Sequence, residues 1–235
     1  ATSLAGSYTV IVTLAGGSSS VQKSLPLVVV DPLIITTKSL PNITTGTAVS
    51  YQVLASGGSA PYIWGATGLP SGLSMSSNGV ISGSTSVTGT YSVQLSATDI
   101  YGTTSTLSLP MTVVGPLKVS TTSLPNVTTG TSYSSQLTVS GGLSPYTWSA
   151  TGLPAGLTIS ATGLISGIAT AAGTYPVNFI VTDAAGSSAN AALSMLVIDP
   201  LTISTASLPI ATKGVAYSTS LVAVGGLGEQ AERTC

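Results

Sequence analysis

Residues able to carry chemistry are few in this chain, and they recur at a fixed interval. Asp99 and Asp183 open the stretches TDIYG and TDAAG, and Tyr62 and Trp64 of PYIW return 84 residues later as Tyr146 and Trp148 of PYTW. A carboxylate can act as acid, base or metal ligand, and an aromatic face can stack on a sugar ring. The chain has no histidine, the commonest general base and metal ligand. Each repeat holds at most two aspartates, well apart, so the paired carboxylates of glycoside hydrolysis would have to be recruited across repeats. No enzymatic activity is expected.

Each candidate also has a plainer role. An aspartate shortly ahead of a glycine builds a turn by bonding its side chain to nearby backbone, and that is the role expected of Asp99 and Asp183. Trp64 and Trp148 are expected to plug the space between two sheets, since one aromatic covers about 150–250 Å². A sugar-stacking platform is the alternative. Tyr62 and Tyr146 follow Pro61 and Pro145 and belong to an edge or turn. Lys38, Lys118 and Lys213, with Asn42 and Asn126 close behind, raise the question of Lys–Asn isopeptide bonds. That chemistry needs a buried carboxylic acid beside the pair, and the repeats contain no glutamate. Asn42-Ile-Thr44 and Asn126-Val-Thr128 match the glycosylation acceptor pattern, here read as accidental. Gly68-Leu69-Pro70 and Gly152-Leu153-Pro154 lack the spacing and the Lys-Ser/Thr of a phosphate loop. No cofactor is implied.

The elements that position these residues follow from composition and period. Charged residues make up 5% of the chain and the net charge is -1, so no basic field gathers phosphates and nucleic acid is not an expected partner. No apolar run approaches the roughly 20 residues that span a bilayer as helix, and LVVVDPLII is broken at Asp31 and Pro32, so membrane insertion is not expected. The opening ATSLAGSYTVIV lacks the charged start and apolar core of a signal peptide. The single Cys235 cannot close a bridge within the chain, which leaves the domains to their apolar cores.

SLPN at Ser39 and Ser123 and SLPI at Ser207 are 84 residues apart, as are Pro32, Pro116 and Pro200, and the pairs Gly57-Gly58, Gly141-Gly142 and Gly225-Gly226. Phased on the prolines, complete repeats occupy 32–115 and 116–199. Residues 1–31 read as the C-terminal part of one repeat and 200–227 as the N-terminal part of another. Residues 228–235, GEQAERTC, abandon the pattern and hold both glutamates, the one arginine and the one cysteine. They read as a foreign or frameshifted tail, with a native anchoring tail as the alternative.

Inside a repeat the apolar period is two, as in Tyr91-Ser-Val93-Gln-Leu95-Ser-Ala97, and the turn sequences TTGT, SGG, SSNG and VTGT follow at short intervals. No stripe of helical period appears. About seven short strands per repeat predict an all-β chain of antiparallel β-sandwiches.

At Gly6, Gly89 and Gly173 the pattern Gly-x-Tyr-x-Val resembles the start of strand F in an immunoglobulin-like domain, where a tyrosine hydroxyl bonds back to nearby backbone. Val10, Val93 and Val177 stand where antibody domains place a cysteine. Together with SLPN, TGTxY, SGGxxPYxW, GLPxGL, GxISG and TDxxG, the chain resembles bacterial Ig-like tandem repeats related to the dystroglycan-type cadherin-like domains. The resemblance covers nearly all of residues 1–227. It implies tandem immunoglobulin-like sandwiches in an elongated arrangement, extracellular or at the cell surface, with Tyr8, Tyr91 and Tyr175 and the valines 10, 93 and 177 in the structural core beside Trp64 and Trp148. True cadherins clamp their junctions with calcium through several carboxylates. This chain offers one acid at most per junction, Asp31 or Asp199, with Gly115 between them, so no metal site is expected.

The function expected is non-catalytic: structural or spacer repeats of a large microbial secreted or cell-surface protein, serving adhesion or display. Two alternatives stand beside it. One is a self-assembling filament subunit, pairing through the incomplete end repeats or Cys235. The other is a module that binds carbohydrate or another cell-surface ligand, as accessory domains of secreted hydrolases do.

Overall fold

The computed structural model describes residues 4–227. The tail 228–235, with Cys235, lies outside the described residues. Two compact units divide the chain between Gly115 and Pro116.

The first unit opens with a hairpin of β1 (Gly6–Gly16) and β2 (Ser19–Val29). Nine strands of a complete repeat follow: β3 (Ile34–Ile35), β4 (Ile43–Thr44), β5 (Val49–Gln52), β6 (Ala55–Ser56), β7 (Ile63–Thr67), β8 (Leu73–Met75), β9 (Val80–Gly83), β10 (Gly89–Thr98) and β11 (Thr104–Val114). One sheet runs β4-β11-β10-β7 and the other β5-β9-β8, with the short ladder β3-β6 beside them. The second unit repeats this order as β12 (Lys118–Val119), β13 (Val127–Thr128), β14 (Ser132–Gln136), β15 (Val139–Ser140), β16 (Thr147–Thr151), β17 (Leu157–Ile159), β18 (Leu164–Ile168), β19 (Gly173–Thr182) and β20 (Ser188–Ile198). It ends with β21 (Thr202–Ile203) paired to β22 (Ala223–Val224). No helix occurs among the described residues.

Period-two alternation explains the cores. On β10 the side chains of Val93, Leu95 and Ala97 point inward and are wholly buried, while Ser92 and Gln94 face water. Val93 and Leu95 meet Met111 and Val113 of β11 and, from the opposite sheet, Leu73 and Ile81, with Ile43 and Val53 closing the cluster. The second core has the same plan around Val177, Phe179, Val181, Met195, Val197, Leu157 and Ile165. One ladder departs from the antiparallel expectation. β4 runs parallel to β11 through Ile43↔Val113, and β13 runs parallel to β20 through Val127↔Val197. The second and last strands of each repeat therefore lie side by side.

The two tryptophans differ in depth. Trp148 is 6% exposed and a member of its core, whereas Trp64 is partly buried and packs against the edge of its own. The neighbours supply the reason. Trp64 pairs with Ala97, with Leu95 on the same face two residues away, while Trp148 pairs with Val181 and has Phe179 at that position. Larger side chains cover more of the ring.

Two expectations for the core are corrected. Tyr8 is 43% and Val10 41% exposed, although their pairings with Leu27 and Leu25 match those of Tyr91 with Met111 and Val93 with Leu109. The local pattern is the same, but β1 and β2 form a two-stranded sheet, and among the described residues no second sheet faces them. Alternation places a side chain on a face; only an opposing layer buries it.

Phe179→Ala should cost the second repeat about 3–5 kcal/mol, the usual range for emptying a buried aromatic site. Ile11→Ala, on the exposed hairpin, should change stability by no more than about 0.5 kcal/mol. Urea unfolding followed by tryptophan emission separates them, and equal effects would contradict the core assignment.

Candidate functional site

The residues with chemical potential converge at one end of each repeat. In the first, the PYIW segment leads into β7, the turn after β10 carries Asp99, and the loop Ser56–Ser59 lies between them. Asp99 is buried, and its carboxylate accepts three backbone N–H groups: Ser59 on Oδ2 at 3.2 Å, and Tyr101 and Thr103 on Oδ1 at 3.0 and 2.9 Å. Asp183 repeats the arrangement with Leu143 at 3.0 Å, Ala185 at 2.9 Å and Ser187 at 2.8 Å. Burial alone pushes both carboxyls up, but the backbone N–H donors outweigh it and hold both below the ordinary carboxylate value. A carboxylate so occupied has little capacity left to bind a cation or take a proton from a substrate. It works as a pin that ties two loops together.

The same end holds the start of the repeat. Gly58 N donates to Asp31 O at 2.7 Å, and Ile100 N to Ser59 O at 3.2 Å. A Cβ on Gly57 would stand 2.0 Å from the carbonyl oxygen of Pro32, so only glycine allows the loop to lie against the junction. Tyr62 donates its hydroxyl to Gly57 O at 2.6 Å and meets Trp64 edge to face, with ring centroids 6.4 Å apart. Tyr146 bonds to Gly141 O at 2.8 Å in the second repeat. The peptide bonds Ala60–Pro61 and Ser144–Pro145 are cis. These bonds anchor the aromatic pairs to their own loops, and the buried Trp148 presents no indole face on which a sugar could stack.

At the opposite end, Tyr91 donates its hydroxyl to Val87 O at 3.3 Å, Tyr175 to Ala171 O at 3.0 Å and Tyr8 to Leu4 O at 2.7 Å. Tyr91 and Tyr175 are partly buried against their cores, and Val93 and Val177 lie inside them. Lys38, Lys118, Asn42 and Asn126 are exposed, so no pair of them is buried as isopeptide chemistry requires. No group of three or more His, Cys, Asp or Glu gathers among the described residues.

Sequence reasoning missed an asymmetry between the repeats. Ile63, Ile100 and Tyr101 are exposed at the loop end of the first repeat, where the second has Thr147, Ala184 and Ala185. A groove of about 450 Å³ lies between Ile34–Lys38 and Leu107 and Leu109 of β11. The positions equivalent to Ile34 and Leu107 in the second repeat are Lys118 and Ala191. Comparing the repeats position by position would have found both.

The family described as Putative Ig domain matches residues 31–114 and 115–198. No curated protein matches the chain. Among solved structures, the I67–I69 fragment of the titin I-band is 16% identical with a TM-score of 0.48, covering 84% of this chain and 77% of that one. Immunoglobulin domains 1–5 of Sidekick-1 are 12% identical with a TM-score of 0.49, covering 94% and 52%. A putative alpha-galactosidase/melibiase of Bacteroides fragilis NCTC 9343 is 29% identical over 34% of this chain, with a TM-score of 0.32. The chain spans 17% of that protein's length.

Because the carboxyls are held low by contacts that exist only in the fold, the native state binds their protons less readily than the unfolded chain does. The stability they add is complete above the unfolded carboxylate value of about 4 and is lost as pH falls through the depressed native values. The double variant Asp99→Asn and Asp183→Asn should melt lower than the parent at neutral pH. Its thermal midpoint should also vary less with pH in acid, as measured by circular dichroism.

Proposed function

We propose, since the chain belongs to the Putative Ig domain family, that its repeats are non-catalytic spacers in a large microbial secreted or cell-surface protein. They would hold an adhesive or displayed element away from the surface in an elongated array. Bacterial origin and kinship with the dystroglycan-type cadherin-like repeats are parts of this reading. The ligand that such a stalk meets, carbohydrate or protein, would be reached by exposed loop residues such as Tyr101 rather than by the tryptophans.

The observation that carries the reading is the parallel pairing of the second and last strands of each repeat. Tension that has passed the short β3–β6 ladder enters the main sheet at β4 and leaves it at β11, and parallel neighbours pulled from opposite ends are loaded in shear. Ladder bonds under shear break together rather than one at a time. The bond from Thr45 N to Val114 O at 2.9 Å extends one ladder, and that from Thr129 N to Ile198 O at 2.9 Å extends the other. With few charges and no internal disulfide, such ladders and the dry cores are what resist extension.

Self-association is the second reading, favoured by one feature of β1 and β2. Tyr8, Val10, Leu25 and Leu27 expose a face whose counterpart in a complete repeat is covered. Residues 200–227 carry the bonds Ser204 N to Val222 O and Val222 N to Thr205 Oγ1, which reproduce Thr36 N to Leu54 O and Leu54 N to Thr37 Oγ1. A second chain could lay this segment on the hairpin, a head-to-tail contact that does not close.

Pulled by its ends in a force microscope, the chain should give two resolved unfolding events, each releasing roughly 280–300 Å of contour at ~3.3–3.6 Å per residue, less the folded length. Thr129→Pro removes one ladder donor and should lower the force of one event only; the absence of any force peak would exclude the mechanical role. For the second reading, sedimentation should show concentration-dependent oligomers that Val10→Asp with Leu27→Asp abolishes. A parent chain that stays monomeric at all concentrations would rule it out.

A further inference from the structure

The turn between β8 and β9 is Ser76-Ser77-Asn78-Gly79, and its counterpart between β17 and β18 is Ser160-Ala161-Thr162-Gly163. Asn78 is the only asparagine of the chain followed by glycine. Its side chain is exposed, but its backbone forms the lid of the first repeat. Gln52 Nε2 donates to Asn78 O at 3.0 Å and to Val53 O at 2.9 Å. Gly79, at φ +86°, lies over the indole so closely that a Cβ there would stand 2.9 Å from Cδ1 and Nε1 of Trp64.

An asparagine before glycine can modify itself. The backbone nitrogen of Gly79, with no Cβ to obstruct it, gives its proton to hydroxide and attacks Cγ of Asn78. A C–N bond forms, and Nδ2 departs as ammonia after taking a proton from water. The resulting succinimide adds water at one of its two carbonyls, giving aspartate or isoaspartate. The net change replaces an amide NH₂ by OH, with no oxidant or reductant. In isoaspartate the main chain runs through the former side chain, one carbon longer, and the carbonyl that Gln52 holds becomes a free carboxylate.

The fold both prepares and restrains this step. Ser76 Oγ donates to Asn78 Oδ1, drawing electrons from the carbon under attack. The nucleophile, however, is engaged: Gly79 N donates to Ser76 O at 3.0 Å, while Val80 N donates to Ser76 Oγ at 3.0 Å and Ser76 N to Val80 O at 2.9 Å. Reaction requires that this one turn open, a local event rather than global unfolding.

We propose that Asn78 is a self-modification site, gated by the Ser76 turn, whose conversion to isoaspartate unseats Gly79 from Trp64 and loosens the first repeat alone. Thr162 has no amide and exempts the second repeat. Repeats of one design thus age at different rates.

The full chain, incubated in mildly alkaline buffer, should release ammonia and gain isoaspartate at Asn78 before any other position, located by enzymatic methylation of isoaspartate and peptide mapping. Tryptophan emission should shift to the red in step. Asn78→Thr should abolish all three changes, and Gln52→Ala, which frees the Asn78 carbonyl that anchors the turn, should accelerate them several-fold. Urea at the same pH should likewise hasten the chemistry several-fold. Isoaspartate forming first at Asn42, Asn126, Asn178 or Asn190, or a rate unchanged in urea and in Gln52→Ala, would overturn the gated site. Conversion without an emission shift would overturn its effect on Trp64.

Discussion

Contact between two inward faces is the interaction on which the rest of this molecule depends. With no bridge between its sheets, each repeat is closed by apolar side chains from β10 and β11, or β19 and β20, meeting those of the opposite layer. Val93 and Val177, at 0% and 1% exposure, occupy the centre of that contact. The β1–β2 hairpin shows what the contact adds, since it keeps the register and the tyrosine bond of its counterparts yet leaves its apolar side chains in water.

The buried carboxylates shape the loops around these cores. The aspartates at the ends of β10 and β19 are consumed by backbone donors, and each ties its own turn to the aromatic loop. Buried polar groups of this kind are costly unless satisfied, and these are satisfied several times over. No buried side-chain nitrogen or oxygen among the described residues lacks a partner. The parallel pairing at the other side of the sheet places β4 against β11 and β13 against β20.

Much of this was legible along the chain. The alternation in Tyr91–Ala97 and the aspartate turns are local patterns, and each survives in three dimensions because its cause lies mainly within a few neighbouring residues. The role of Asp99 is an example: its acceptors for Tyr101 and Thr103 are set by a turn of five residues, although its bond to Ser59 comes from a loop 40 residues away. The exposed cluster of Ile63, Ile100 and Tyr101 was harder to see, because a turn signal overrides the apolar character of the residues it contains.

The sequence by itself determined the strand period, the turn positions, the number of repeats and the poverty of chemical groups, since all of these rest on residue type and short-range geometry. Tertiary structure alone decided that β4 joins β11 in parallel, that Trp148 sinks deeper than Trp64 behind Val181 and Phe179, and that Tyr8 and Val10 stay exposed. Those outcomes depend on what stands across the sheet or beside it, and a side chain's own neighbours in sequence carry no record of that.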